Sequence, residues 1–286
     1  MEYEFVTDPA EFRARAALLL LDEARHNLML GILGTLVRSP EVYPDPKMFL
    51  VVDRQVAIAA ALMTAPYNLI IADTASEQAM EVLAAGIAAD GVVIPGAIGN
   101  QPTVGRFVAA WERITETPCR LRMEQGVFAL DQVAAVPAAP GSARVATPDD
   151  LAVITDWTRV FLAEALPDEP VDEEGNLKAI RRRLEGEGPG AYWIWSCEGQ
   201  PVSLTGHGNP TGRGIRIGPV YTPPVHRGRG YASSLVAAES QWLLDNGYEF
   251  CFLFTDLANP TSNAIYERIG YRQVAEAASY VFGTPA

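Results

Sequence analysis

Residues 226–235 read HRGRGYASSL, and they follow a strand-like stretch, GIRIGPVYTPP, at residues 214–224. Two arginines and two glycines therefore lie between a strand and a helix. Glycine lets the backbone approach a ligand closely, and arginine indicates that this ligand is an anion. A glycine-rich turn that opens a helix also exposes unpaired backbone N–H groups beside the positive end of the helix dipole. The stretch predicts a site for a phosphate-bearing ligand, with a nucleotide, a dinucleotide and coenzyme A as candidates.

Two common phosphate-binding motifs fit this stretch poorly. A P-loop requires Gly-Lys-Ser/Thr after the glycines, and the stretch supplies neither the lysine nor the hydroxyl in that place. The dinucleotide fingerprint comes closer, because Gly228 and Gly230 match its first two glycines and Asp256 ends the next strand. Its third glycine is Ser233 here, and too few residues follow Asp256 for a second mononucleotide-binding half.

Composition and charge restrict the class of protein. The chain has 286 residues, 49% of them hydrophobic, and a net charge of −13, so it can bury a core and lacks the basic excess of a nucleic-acid binder. Its three cysteines are far apart and flanked by apolar residues, which favours buried free thiols over disulfides or a metal site. No signal pattern begins the chain, and Pro66 and Asn68 interrupt its most apolar run, at residues 56–72, which predicts two buried strands. We expect a cytoplasmic protein with no metal, no nucleic-acid partner and no membrane partner, and its oligomeric state is open.

Helix and strand patterns alternate along the chain. In the first half, apolar spacing predicts one helix from Asp8 to about Leu36, a strand pair around the turn at 53–54, and further strands and helices up to a strand at 119–130. The second half repeats this order and ends in a short helix at 260–269 and a strand at 279–283. Residues 133–142, VAAVPAAPGS, are poor in charge and carry two prolines, so they predict a linker. We predict a mixed α/β chain of two domains, 1–135 and 143–286, related by a diverged tandem duplication.

The loop and a second segment resemble those of a known family. Arg227-x-x-Gly230-x-Ala232 matches the R/Q-x-x-G-x-G/A loop of the GNAT superfamily of acyl-CoA-dependent N-acyltransferases. NPTSNAIYERIGY, at 259–271, is similar to that family's asparagine and tyrosine segment. The resemblance covers 143–286 well and the N-terminal half only in outline. It implies an α/β (α+β mixed-sheet) fold of two GNAT-like domains in tandem, each a mostly antiparallel twisted sheet with splayed central parallel strands, flanked by helices.

The resemblance implies acetyl-CoA as cosubstrate, with its pyrophosphate on the loop amides and its pantetheine arm between the splayed strands. Pro219 cannot donate a hydrogen bond to a strand ladder, so it predicts either a plain edge strand or a bulge that frees backbone groups for the pantetheine amides. Asn259 and Asn263 are candidates to hold the arm, although Asn259 could simply cap a helix. The predicted coenzyme-binding residues are Gly218, Val220, Tyr221, Arg227, Gly228, Arg229, Gly230, Tyr231, Ala232, Asn259 and Asn263.

Acyl transfer from a thioester to an amine needs a neutral nucleophile, an oxyanion donor and a proton for the departing thiolate. The resemblance assigns the proton to Tyr266 and the oxyanion contact to the backbone N–H of Val220. A phenol remains a proton donor at neutral pH, but packing alone would also explain Tyr266. The general base is open: His207 is a candidate because histidine as a residue type exchanges protons near neutral pH, and the alternatives are His226, Asp256 and Glu239, with His226 favoured for the coenzyme phosphates.

The resemblance also implies that the acceptor is the primary amine of a small molecule or peptide, bound near the helices at about 157–184. The stretch from Glu164 to Glu174 holds six carboxylates, which form either a solvated loop or a surface that attracts cationic amines. In the first half, TASEQAM occupies the position of the coenzyme loop, where Asp73 and Glu77 would repel pyrophosphate. This half is predicted to have lost coenzyme binding and to support the second half. An active N-acetyltransferase and a non-catalytic coenzyme A-binding sensor or scaffold are the two hypotheses.

Overall fold

The computed structural model describes residues 1–165 and 172–283 of the chain. Contacts divide the chain into two compact units. The N-terminal unit consists of residues 1–127, 254–259 and those from Gln273 onward, and the C-terminal unit consists of residues 128–253 and 260–272. Across the described ranges, no helix has both the length and the apolar character needed to cross a membrane.

The N-terminal unit is a sheet with helices on both faces. Its strands lie in the order β1-β2-β3-β4-β5-β12, and all neighbours with a described register are antiparallel except the parallel pair β4–β5. Alternate residues of β2 explain the two faces: Met48 and Leu50 pack with α1 and α2, while Phe49 and Val51 pack with α3 and α4. The elements are β1 Glu2–Val6, α1 Pro9–Arg15, α2 Asn27–Arg38, β2 Pro46–Asp53, β3 Val56–Thr64, β4 Leu69–Ile71, α3 Glu77–Ala89, β5 Gly96–Asn100, α4 Thr103–Thr115, β6 Cys119–Leu130 and, from the end of the chain, β12 Arg272–Phe282.

The C-terminal unit repeats this plan. Its strands lie in the order β11-β10-β9-β8-β7, with β10–β11 as the parallel pair and the other described pairs antiparallel. One face of β8 packs Tyr192 and Ile194 against α5 and α6, and the other packs Trp193 against α7. The elements are β7 Ser142–Val145, α5 Leu151–Ala165, α6 Glu173–Leu184, β8 Ala191–Cys197, β9 Gln200–Gly208, β10 Gly214–Tyr221, α7 Tyr231–Asp245, β11 Phe250–Asp256 and α8 Pro260–Ile269.

The predicted fold class is confirmed. In each unit, antiparallel strands precede one parallel pair, and a single helix connects the two parallel strands: β4-α3-β5 in one unit and β10-α7-β11 in the other. The compact units follow spatial contacts, and they differ from the predicted halves because β12, at the end of the second half, pairs with β5. The domains 1–135 and 143–286 stay a prediction about the duplication.

Several local predictions need correction. The single helix from Asp8 to Leu36 is wrong, because α1 ends at Arg15 and α2 begins at Asn27. Between them the Asp22 carboxylate accepts a hydrogen bond from the backbone N–H of Arg25, at 3.2 Å, and forms a turn. The strands β1 and β7 were not predicted, and β12 begins seven residues before the predicted strand at Ser279. The two buried strands in the apolar run at 56–72 are confirmed as β3 and β4.

Buried free cysteines and a linker are also expected from the sequence, and the structure shows the environment of each. All three cysteines are free thiols, but only Cys251 is fully buried. The linker residues before β7 contact the C-terminal unit: the Ala139 N–H donates to Ser234 Oγ at 2.9 Å, and Trp195 Nε1 donates to the Pro140 carbonyl at 2.8 Å. This segment lacks regular structure up to Ser142 but is fixed by hydrogen bonds.

Candidate active site

The strand β10 contains a bulge, which is one of the two arrangements predicted from Pro219. Ile217 pairs with His207 of β9 and Val220 pairs with Thr205, so three steps along β10 match two along β9. The parallel register between β10 and β11 stops at Arg216 and Phe252, although β10 continues to Tyr221. Beyond this point the β10 backbone, including Gly218 and Val220, is not paired with β11 in the described register. Backbone groups that are not paired with a neighbouring strand can bind a ligand between the two strands.

The glycine-rich loop adopts the backbone conformation for which glycine is needed. Gly228 has φ +77° and Gly230 has φ +80°, in the left-handed region that other residues rarely adopt. Gly230 is the N-cap of α7 and supplies no side-chain cap, and the first helical N–H to bond within α7 is that of Ser234, to the Gly230 carbonyl at 3.0 Å. The amides before Ser234 lie at the exposed positive end of a 15-residue helix. They offer donors to an anion.

The corresponding helix of the N-terminal unit is closed by its own side chains. Ser76 is the N-cap of α3, and its Oγ accepts from the Ala79 N–H at 3.1 Å. Thr74 Oγ1 accepts from the Ser76 N–H at 3.1 Å. The segment TASEQAM therefore satisfies the first-turn amide of Ala79, whereas α7 has no side-chain acceptor at its N-terminus.

The parallel strands of the N-terminal unit end at a polar cluster. The Asp73 carboxylate accepts hydrogen bonds from Arg25 at 2.8 and 2.9 Å and from Asn100 Nδ2 at 3.1 Å, and Arg25 also donates to the Val274 carbonyl at 2.9 Å. His26 accepts from the Asp73 N–H at 3.2 Å, and burial lowers the pKa of His26, so it is neutral as an acceptor must be. A small cavity adjoins this cluster and has room for about one water molecule.

Arg227, the first residue of the loop motif, is held by three contacts. Its Nε donates to the Thr222 carbonyl at 2.8 Å, its Nη2 lies 2.7 Å from Glu164 Oε2, and its guanidinium carbon lies 5.8 Å from the centre of the Tyr221 ring. Both charged side chains are about half exposed, at 49% and 46%. No local pattern predicts this pairing, because Glu164 is one acidic residue of a run and lies 63 positions from its partner.

Tyr266 lies on α8 with its ring in the core of the C-terminal unit. It is 8% exposed, packs among Ile217, Val236 and Ile269, and contacts the ring of Tyr271 edge-on at 5.9 Å. Burial raises the pKa of Tyr266 to about 12. Among the described residues, its hydroxyl has no hydrogen-bond partner. The phenol is thus protonated at neutral pH.

His207 is buried between β9 and α7. Its Nδ1 lies 2.9 Å from Glu239 Oε1, its ring stacks on Trp242 at 6.0 Å, and it is 5% exposed. Two candidate bases of the sequence analysis therefore form one buried pair. Of the other two, Asp256 accepts from the Ala258 N–H at 2.8 Å, and His226 packs edge-on against Tyr231 at 6.4 Å.

The remaining predicted residues occupy several environments. Asn263 is half-buried on α8, whereas Asn259 is exposed just before that helix and belongs to the N-terminal unit. Arg229 is exposed in the loop, and Tyr231 and Ala232 are the first residues of α7. Of the acidic run, residues 166–171 lie outside the described residues, and Asp172 caps α6 by accepting from the Gly175 N–H at 2.9 Å.

Comparisons with known proteins agree with this architecture. The model of the Acetyltransferase (GNAT) family matches residues 151–271, whereas no curated protein sequence gives a significant match. A tandem GNAT protein from the clavulanic acid biosynthesis pathway has a similar structure, at 13% identity over 100% of both chains, with a TM-score of 0.61. A GNAT-family acetyltransferase from Colwellia psychrerythraea is similar at 10% identity over 99% of this chain and 100% of that one, with a TM-score of 0.59.

A GCN5-related N-acetyltransferase from Sphaerobacter thermophilus is similar at 17% identity over 99% of this chain and 96% of that one, with a TM-score of 0.63. These identities are low, so the similar structures show the fold alone. The family match lies in the half that carries the open glycine loop and α8. Residues 151–271 are therefore similar to the GNAT acetyltransferase family, and the chain as a whole has the fold of a tandem GNAT protein.

Proposed function

We propose that the protein is an N-acetyltransferase that uses acetyl-CoA and a primary amine, with its reaction centre in the C-terminal half. The open N-terminus of α7 is the observation that carries this proposal. It presents free first-turn amides on a loop of two left-handed glycines, inside the segment that matches the family. The same position in the N-terminal unit is capped by Ser76.

The residues present fit the coenzyme. The amides from Gly228 to Ala232 would bind its pyrophosphate through the helix dipole and direct hydrogen bonds. Backbone groups beside the bulge, at Gly218 and Val220, would pair with the pantetheine amides. Acetyl-CoA supplies the activated acetyl group as a thioester. The Val220 N–H is then the proposed donor to the carbonyl oxygen as negative charge develops there.

Tyr266 is the proposed general acid. As the amine nitrogen bonds to the acetyl carbon, the bond from that carbon to sulfur breaks, and the phenol transfers its proton to the thiolate. A pKa of about 12 keeps the phenol protonated before the reaction, and its hydroxyl makes no competing hydrogen bond to the described residues. The phenolate regains a proton from solvent after product release.

His207 is the proposed base that removes the proton from the attacking amine, and Glu239 would hold its ring. The Nδ1 contact at 2.9 Å fixes the orientation of the imidazole. Because His207 is almost fully buried, this proposal requires proton transfer through a water molecule. If His207→Gln leaves the pH dependence of kcat/KM unchanged, the base must be sought elsewhere.

The acceptor is proposed to be an amine of a small molecule or peptide, and cationic amines are a further prediction. Glu173 and Glu174 are exposed at the start of α6, where they would raise the local concentration of a polyamine in a salt-dependent way. Acceptors with several amino groups should therefore lose kcat/KM as ionic strength rises, more than amines with neutral tails do. Equal salt dependence would mean that the run is a solvated loop.

The experiment that tests the function measures thiol release from acetyl-CoA with a panel of amines, together with coenzyme binding by calorimetry. We expect one coenzyme per chain and turnover with at least one amine. Gly230→Val should abolish binding, because it places a side chain where the phosphates approach. An added Cβ would lie 3.7 Å from Ala139 Cβ, so the fold can accommodate it apart from the strain of φ +80°.

Gly199→Val is the matched control. Gly199 has φ +77° in the turn between β8 and β9, with open space around an added Cβ, so it carries similar strain away from the loop. It should retain binding and turnover. Coenzyme binding without turnover of any amine would favour the sensor hypothesis, and no binding at all would refute both.

A further inference from the structure

A buried polar cluster lies between α7 and the strands β8 and β9 of the C-terminal unit. Glu239 of α7 is 0% exposed, and His207 beside it is 5% exposed. Only one carboxylate oxygen of Glu239, Oε1, contacts the histidine. The proposed reaction uses neither the second oxygen nor its surroundings.

Three side chains of this buried polar cluster have a buried polar atom with no hydrogen-bond partner among the described residues. They are Glu239 Oε2, Thr205 Oγ1 and Trp193 Nε1. Thr205 and His207 lie two residues apart on β9 and therefore point to the same face, and Thr205 pairs directly with Trp193 of β8. Burial raises the pKa of Glu239, and the His207 ring and the Thr205 hydroxyl oppose that rise, so the hydroxyl lies within reach of the carboxylate, although the geometry between them does not make a hydrogen bond.

The chemistry of the three atoms is complementary to one molecule. The carboxylate oxygen is an acceptor, the indole N–H is a donor, and the hydroxyl can be either. Leaving such groups buried without partners would cost roughly 1–3 kcal/mol for each. Internal waters typically make about three hydrogen bonds to polar groups of this kind. A water molecule could donate to Glu239 and to Thr205 while it accepts from Trp193.

We infer that one ordered internal water occupies a site formed by Glu239 Oε2, Thr205 Oγ1 and Trp193 Nε1, and that it bridges α7 to β8 and β9. This inference does not rest on the proposed function. The water would fix the middle of the helix whose first turn carries the glycine loop.

Thr205→Val tests the site, because it replaces only the hydroxyl with a methyl group of similar size. If the water is bound, the variant loses a satisfied hydrogen bond, and its equilibrium constant for unfolding should rise about tenfold. If Thr205 is unpartnered in solution, removing its buried hydroxyl leaves stability unchanged or raises it. The second result would overturn the inference.

Ser203→Ala calibrates the measurement on the same strand. Ser203 is fully buried, and its hydroxyl has protein partners, the Tyr221 carbonyl at 3.2 Å and Thr222 Oγ1 at 2.8 Å. Its loss should therefore destabilise the protein with or without the internal water. Trp193→Phe combined with Thr205→Val should destabilise by less than the sum of the single changes, since both remove bonds to the same water. Full additivity would count against a shared water.

A second measurement does not depend on the folding of any variant. In the wild-type protein, the indole N–H of Trp193 should show a nuclear Overhauser effect to a long-lived water, with its resonance identified by Trp193→Phe. Absence of that effect would overturn the inference.

Discussion

Replacing Tyr266 by phenylalanine should change catalysis and stability in opposite ways. The ring packs in the core at 8% exposure and stays, whereas the hydroxyl that leaves has no hydrogen-bond partner among the described residues. Loss of a partnerless, mostly buried hydroxyl should leave the free energy of unfolding unchanged or raise it by up to about 1 kcal/mol. Loss of a general acid should lower turnover by ~10² or more.

The pKa of about 12 adds a pH criterion. At pH 8 only about one Tyr266 in ten thousand is ionised, so the acid should remain active throughout the neutral and moderately alkaline range. Turnover with wild-type protein should therefore show no alkaline loss from this group below about pH 11. Single-turnover measurements, with acetyl-CoA affinity measured separately by calorimetry, report the chemical step.

Tyr271→Phe is the control for ring packing. Its hydroxyl lies 2.8 Å from Ser240 Oγ, and both side chains are buried. This change should cost about 1 kcal/mol of stability and spare turnover. If Tyr266→Phe keeps wild-type single-turnover rates, or if both variants lose activity in proportion to stability, Tyr266 is a packing residue.

Two further predictions concern ion pairs of the C-terminal unit. Glu164→Gln should tighten acetyl-CoA binding by at most about fivefold, because it frees the loop arginine Arg227 from an exposed ion pair worth up to about 1 kcal/mol. Calorimetry at low and high salt should show that this gain in affinity decreases as the salt concentration rises. An equal gain in Asp156→Asn, a change on the same helix, would refute the role of the pair. The Arg144 guanidinium lowers the pKa of Asp150 in the folded protein below its ordinary value of 3.8. The ion pair therefore contributes its full stability to the folded protein above pH 3.8, and this contribution is lost as the pH falls through the lowered pKa. The urea concentration at the midpoint of unfolding should fall less between about pH 4 and pH 2 in Arg144→Leu than in the wild-type protein. If the midpoints of the two proteins fall in parallel with pH, Arg144 is not the cause of the lowered pKa.

The sequence predicts the parts of the fold that local patterns determine. Proline at 219 restricts β10 to an edge strand or a bulge, and the structure has the bulge. The helix predicted over 8–36 fails because apolar spacing continues through residues 16–26, where the Asp22 side chain instead bonds the backbone in a turn.

Contacts between distant residues could not be predicted in the same way. Glu239 and His207 are 32 positions apart, and they meet only because α7 packs on β9. Each residue alone is a candidate base, and no local pattern indicates that the two form one pair. Likewise, nothing in the acidic run distinguishes Glu164 as the residue that contacts the loop arginine.

The two units differ in the residue that caps one helix, α3 in the N-terminal unit and α7 in the C-terminal unit. First-turn amides need acceptors, which come either from a capping side chain or from a ligand. On α3 the acceptor is Ser76 Oγ, and a phosphate arriving there would have to displace a bond already made at 3.1 Å and approach Glu77 in the first turn. On α7 the N-cap is Gly230, with no side chain to offer, and no acidic residue lies in the first turn. If both units descend from one coenzyme-binding ancestor, the cap on α3 is a replacement for the lost ligand. The binding isotherm of the full chain should then fit one site, and that site should vanish with Gly230→Val.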